Sequence, residues 1–212
     1  KKNNKQTDEI VETKLNEGLT QMEQDYEIMS SQKVGPTIAD DIKNAAMGSI
    51  VFSLLIIFLY ILLRFRKWQF SLGAVVAVFH DVLIVLSIFS FFYGLLPFSL
   101  EIDQAFIAAL LTIIGYSLND TVVVFDRVRE YMNINKRKEI KEFMNTSLNS
   151  TLSRTINTSL TTFFVLLIIF IFGGEVIRGF MFALIIGVMV GTYSSVFIAT
   201  PIMYDSYKNK VN

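Results

Sequence analysis

The sequence predicts an all-α polytopic membrane protein: a five-helix transmembrane bundle preceded by the end of a small α+β domain. Three observations carry that class. Of the 212 residues, 52% are hydrophobic and mean hydropathy is +0.49, above what a soluble domain needs. Five apolar runs are each long enough to cross about 30 Å of hydrocarbon at 1.5 Å per residue. The short loops between them alternate between basic and nearly uncharged, as the positive-inside rule requires of a spanning chain.

The elements follow in order. Residues 1–34 are polar. Ile10, Val11, Leu15, Leu19 and Met22 recur at helical spacing, and in "DYEIMSSQKV" Tyr26 and Ile28 alternate against charges as in a strand. "VGPTIADD" offers a turn at Gly35-Pro36 and a helix start at Thr37. This stretch reads as the last helix and strand of a domain that begins upstream. The bundle then occupies 35–206, with spans near 44–63, 69–93, 103–126, 153–172 and 177–204. "RFRKWQ" joins the first two. A basic loop over 127–150 is expected to hold an amphipathic helix on the membrane surface, and 207–212 form a tail.

Orientation follows from the loops. Arg64, Arg66 and Lys67 lie in one; Arg127, Arg129, Lys136, Arg137, Lys138 and Lys141 lie in another; Lys208 and Lys210 close the chain. "GLLPFSLEI" and "GGEVIRG" carry a single Arg178 between them. The basic loops are therefore predicted to be cytoplasmic and residues 1–34 periplasmic, carried across by a segment upstream.

Composition also excludes classes. Net charge is zero, from 19 basic and 19 acidic residues, and the basic residues flank apolar runs rather than line one face, so nucleic acid is not an expected partner. With no Cys and one His, a disulfide framework, a thiolate site and a hydrolytic metal centre are not expected. No nucleophile elbow, phosphate loop or zinc spacing occurs. The chain is predicted not to be an enzyme and to need no cofactor, so any work it does must draw on an ion gradient.

Polar residues within the spans are the candidate site. In "GYSLNDTVVVFDRVRE" (115–130), Asp120 lies about 9 Å from Asp126 along the helix, in the inner third of the bilayer. A mid-membrane Asp costs roughly 2.5 to 3.5 kcal/mol on an insertion scale. Tyr116, Ser117, Asp120 and Arg127 share a stripe by three- and four-residue spacing, with Asn119 alongside. The fourth span opens with "NTSLNSTLSRTINTSLTT" (145–162), thirteen Ser, Thr or Asn in eighteen positions around Arg154. Such a helix must face the bundle interior or a wet cavity. Ser147, Thr151, Arg154, Thr158 and Thr161 make its stripe. Asp120 and Arg154 approach from the same side at similar depth, which allows an ion pair. Asp120 then either orders the bundle or is a gated charge on an ion path, a titratable acid facing a fixed cation.

Most of the hydroxyls read as interhelical hydrogen bonding. His80-Asp81, mid-way along the second span, is open between a proton relay and a satisfied buried pair, with Ser117 and Thr158 as further relay candidates. Asp103 and Glu101 sit at the outer boundary, where water solvates them. Gly179, Ala183, Gly187, Gly191, Ser195 and Ala199 recur every four positions in the fifth span, which lets another helix approach closely.

"VGPTIADDI", "YILLRFRKWQFSLGAVVAVFHDVLI", "GYSLNDTVVVFDRVRE" and "TLSRTINTSLTT", in this order and at these separations, resemble the SecF family. SecF is the smaller partner of the SecD–SecF protein-export complex, found also as the second half of SecDF, in the resistance-nodulation-division superfamily. The resemblance covers residues 34 to about 205. It implies a half-transporter of six helices, of which the first and most of the periplasmic domain would precede this stretch. It implies a subunit that uses proton (or sodium) flow to assist preprotein translocation on the periplasmic side of the bacterial inner membrane. Asp120 and Arg154 match the family's ion-coupling residues, with Asn119 in the same motif. The implied partners are SecD, separate or fused, the SecYEG translocon, YajC and YidC, unfolded preprotein and membrane lipids. The alternatives are half of another superfamily exporter of drugs or lipids, and a membrane scaffold that conducts nothing.

Overall fold

The computed structural model describes residues 13–14, 17–19, 36–134 and 140–208. The chain divides into two compact units, Lys1–Ala39 and Asp40–Asn212. In the first, residues 13–14 and 17–19 are helical; the strand expected around Tyr26 and Ile28 lies outside the described residues.

The second unit is helical. The long helices of the chain are α1 (Pro36–Phe65), which belongs to this unit from Asp40 onward, α2 (Trp68–Phe92), α3 (Gln104–Ile134), α4 (Ile140–Phe172) and α5 (Glu175–Ser194). A π-helical segment, Ser195–Ala199, then leads into α6 (Thr200–Lys208). Among the described residues five stretches are long and apolar enough to cross a membrane, the last running from Glu175 through the π segment to Tyr207, and the chain is a multi-pass membrane protein. Residues 127–134 continue α3 and residues 140–150 open α4, so these parts of the anticipated surface helix are extensions of two spans. Their polar sequence hid that continuation, because an α-helix leaving the bilayer no longer needs an apolar surface.

Sequence chemistry accounts for the ends. Asp103 accepts a hydrogen bond from the Phe106 amide at 2.8 Å, capping the free N–H groups at the start of α3. It is a structural cap rather than merely a solvated charge. At the end of α1, Arg66 adopts a left-handed φ of 58° while its amide bonds the Leu62 carbonyl at 2.8 Å, a helix-terminating geometry in which glycine is the usual residue.

α2, α3 and α5 form the buried centre; α1 and α4 bury much less of their apolar surface. One apolar cluster lies at the basic-loop end, where Phe65 and Phe70 stack at 5.0 Å and Phe125 packs edge-on to both, with Met144 and Met203 alongside. A second, around Phe89, Phe106, Leu110, Ile113 and Ala183, fills the other end. Both draw on α2, α3 and the last span, and the first adds Ile61 and Phe65 of α1 and Met144 of α4.

The small stripe on α5 makes this packing possible. A Cβ at Gly187 would collide with the Ile113 side chain, one at Gly191 would sit 3.0 Å from the Ser117 Cβ, and one at Gly179 would sit 2.6 Å from the Ser99 carbonyl oxygen. Three steps of the four-residue repeat thus hold α5 against α3 and the loop before it. At Gly73 on α2, a Cβ would lie 2.5 Å from the Ala199 carbonyl oxygen, so the π segment is itself in close backbone contact. Gly187→Ala should therefore lower the thermal midpoint of the detergent-solubilised protein, by overpacking worth about 1–3 kcal/mol. Gly48→Ala, with nothing within 4 Å of the added carbon, should leave it unchanged or slightly higher.

Candidate ion-coupling site

Two buried carboxylates, Asp81 on α2 and Asp120 on α3, occupy the middle of the bundle. A membrane interior offers no water to such groups, so each must draw its donors from neighbouring helices. They do so differently.

Asp81 is 1% exposed and well satisfied. Oδ2 accepts from Ser117 Oγ of α3 at 2.6 Å and from Ser194 Oγ of α5 at 2.7 Å. Oδ1 lies 3.1 Å from His80 Nδ1. One carboxyl group thus ties α2, α3 and α5 together at the last residue before the π segment. His80 is partly exposed, with its ring beside Tyr193.

Asp120 is 3% exposed and sparsely satisfied. Ser159 Oγ of α4 donates to Oδ2 across 3.3 Å, a long bond. Ser159 Oγ in turn accepts from Thr192 Oγ1 of α5 at 2.5 Å. The chain Thr192–Ser159–Asp120 links three helices through two hydroxyls.

The expected stripe on α3 therefore splits. Tyr116 and Asp120 address α4, where the Tyr116 hydroxyl lies 3.2 Å from both the Thr158 carbonyl oxygen and Thr162 Oγ1. Ser117 belongs to Asp81. Arg127 is at the helix end, paired with Glu130 at 2.7 Å. Thr158 meets Tyr116 through its backbone, while its hydroxyl lies in neither carboxylate's shell. Asn119 is exposed.

Arg154 is exposed as well. It forms no ion pair with Asp120. The reason is azimuthal. Arg154 precedes Ser159 by five residues, about 500° of helix rotation at 3.6 residues per turn, which leaves it roughly 140° around α4 from the hydroxyl that meets Asp120. α4 buries Phe143 and Met144 in its first turns and then Ser147, Thr151, Thr155 and Ser159, the last four on a strict four-residue line. The predicted stripe mixed threes and fours and so ran straight along the axis. A four-residue line winds around it, as expected where helices cross at an angle.

Ser159, Thr192 and Ser194 were missed by reading the sequence. Ser159 had a signal, since 147, 151, 155 and 159 all carry hydroxyls four apart. Ser194, one residue before a small stripe position, had none without the π segment.

At the basic-loop end, Asp126 bridges Arg64 at 3.1 Å and Arg129 at 3.2 Å, and Arg129 Nη1 donates to the Arg64 carbonyl at 2.9 Å. Both guanidinium groups also lie over the Phe65 ring, at 5.5 and 5.2 Å. This network fastens α1 to α3 close to the aromatic cluster.

Among the described residues no group of three or more His, Cys, Asp or Glu is placed to hold a metal ion. Comparison with known proteins places these features in context. Residues 14–209 match the family model described as protein export membrane protein SecD/SecF, C-terminal. The chain is 59% identical over 179 residues to the protein translocase subunit SecF of Rhodothermus marinus, covering 84% of this chain and 58% of the relative. It is 45% identical over 215 residues to that of Thermodesulfovibrio yellowstonii, covering 100% and 68%. Among solved structures it is similar to SecDF from Thermus thermophilus, a translocon-associated membrane protein, with a TM-score of 0.73 at 41% identity over 83% of this chain and 23% of that one. The chain spans about half to two thirds of the length of these SecF relatives. By sequence and by the arrangement of its spans, the chain belongs to the SecD/SecF C-terminal family of protein-export membrane proteins.

Proposed function

We propose that this chain is the membrane half of a SecF-type subunit, which uses a proton (or sodium) gradient to assist preprotein translocation beside the Sec translocon. The observation that carries the reading is the unequal treatment of the two buried carboxylates. Asp81 has both oxygens engaged, Oδ2 by serine donors from α3 and α5 and Oδ1 by the His80 ring, the arrangement of a structural lock. Asp120 has one long bond to one hydroxyl, so its proton can come and go without dismantling the bundle.

Arg154 completes the reading. A guanidinium in a membrane span is too costly to leave facing lipid. Asn119, Ser153, Arg154, Asn157 and Thr161 are all exposed on α3 and α4, and this polar face fits a second membrane half rather than acyl chains. SecD, separate or fused, is the partner proposed to cover it; relatives that carry both halves in one chain, such as SecDF of Brucella abortus biovar 1, support the pairing. A carboxylate from that half competes with Asp120 for Arg154. Protonation of one acid releases the guanidinium to the other, the helices shift, and the periplasmic domain moves with them. Each elementary charge carried down 100 mV supplies roughly 2.3 kcal/mol, enough to bias a two-state element. The basic ends of α1 and α3 lie on the cytoplasmic side of a bacterial inner membrane in this reading, with residues 1–34 periplasmic.

Asp120→Asn and Arg154→Met, each introduced into the full-length complex, should abolish gradient-stimulated export in membrane vesicles while the complex still assembles. Normal export by both variants contradicts the assignment. Asp81 should behave in the opposite sense. Ser194→Ala, which strips one donor from its carboxylate, should cost about 1.5–3 kcal/mol of stability, read as a lower denaturation midpoint, with export per assembled complex retained.

A further inference from the structure

The buried line on α4 is not used by the charge exchange just described, except at its last member. Ser147, Thr151, Thr155 and Ser159 all face inward, and every one is a hydroxyl. Two of them have no hydrogen-bond partner in the protein: Ser147 Oγ at 0% exposure and Thr155 Oγ1 at 2%. Thr121 Oγ1, on α3 next to Asp120 in sequence, is a third. Thr151 Oγ1 donates back to the Ser147 carbonyl at 2.9 Å, which leaves its oxygen free to accept. Orphaned buried hydroxyls are costly, and in native proteins water usually satisfies them.

Their spacing fits that occupant. Four residues of α-helix rise about 6 Å. Two O–H···O bonds of about 2.8 Å, end to end, span about 5.6 Å. The spacing has room in length for one water between each pair of successive rungs, so that three waters and four hydroxyls would cover about 18 Å from Ser147 to Ser159. At the inner end Ser159 already bonds Asp120. At the other, Ser147 sits in the opening turns of α4, beside the basic loop.

We propose that Ser147, Thr151, Thr155 and Ser159 form a hydroxyl-and-water wire that carries protons between Asp120 and the basic-loop end of the bundle. The proposal deepens the reading above and rests on Asp120 as the exchanging acid. When Asp120 is protonated, its O–H donates to Ser159 Oγ. Ser159 passes its own proton to the first water, and the hop repeats rung by rung until Ser147 hands a proton to a further water on the basic-loop side. Each O–H bond broken is matched by one formed, and no group is left charged except Asp120, which ends as the carboxylate. The present orientation, with Ser159 donating to Asp120, is that of the wire just after discharge; reset turns each hydroxyl back toward the water below it. The competing account is that small hydroxyls merely let α4 pack closely. It predicts that volume matters at Thr155 and the hydroxyl does not.

The test uses the full-length complex reconstituted in vesicles, with acid flux followed by an entrapped pH dye. Thr155→Val keeps the volume and removes the hydroxyl; it should cut flux at least about tenfold, while Thr155→Ser and Ser87→Ala, which removes an exposed α2 hydroxyl bonded only to the Leu83 carbonyl, keep it. Flux through Thr155→Val equal to the parent's overturns the wire and leaves the role of Asp120 standing. Flux through Asp120→Asn equal to the parent's instead removes the reading on which the wire rests. Accessibility gives a readout independent of conduction and of a misfolded valine variant. The chain has no cysteine, so Thr151→Cys and Thr155→Cys report directly. Both should react with a small hydrophilic methanethiosulfonate applied from the basic-loop side, and failure of both to react while Ser147→Cys does overturns the wire whatever the flux.

Discussion

A carboxylate in a membrane interior must be supplied with hydrogen-bond donors by the protein, and the centre of this bundle is arranged to meet that requirement twice. Asp81 receives serines from α3 and α5; Asp120 receives a serine from α4 that is itself backed by a threonine from α5. Apolar packing above and below would hold helices together in many registers. These bonds select one, because a slip of a single residue would leave a buried charge without donors.

The close approach of α5 serves the same end. Gly191 stands against Ser117, the residue that donates to Asp81, so the small stripe sets the distance at which that serine reaches the carboxylate. The π segment begins with the residue after Ser194, and Oγ1 of Thr200, the first residue beyond it, bonds back to the Ser195 carbonyl at 2.8 Å. A π-bulge adds a residue to one turn and re-aims the side chains that follow. Here it separates the half of the last span that feeds Asp81 from the half that packs on α2 at Gly73. Stability and site geometry are in this way fixed by the same contacts.

Much of this was legible in the sequence, and what was not has a consistent cause. The spans and the packing role of the glycine stripe follow from length and four-residue periodicity. Asp120 was recognisable as exceptional from depth alone. What depth could not supply was azimuth. Arg154 lies near the level of Asp120, yet faces away from it, because the inner line of α4 winds around the helix axis while the predicted stripe did not. Ser117, next along the chain from Tyr116, turned out to serve a different carboxylate for the same reason: one residue is 100° of rotation. The continuation of α3 to Ile134 was hidden because periodic apolarity ends where the helix leaves hydrocarbon, although the helix does not.

The central claim is a division of labour, in which Asp120 exchanges protons and Asp81 locks the helices. Infrared difference spectroscopy on the assembled complex tests it most directly, by following the carbonyl stretch of protonated carboxyl groups as a proton gradient is imposed. The account predicts that the gradient-dependent band is lost in Asp120→Asn and kept in Asp81→Asn. A band that survives in Asp120→Asn and vanishes in Asp81→Asn would contradict it.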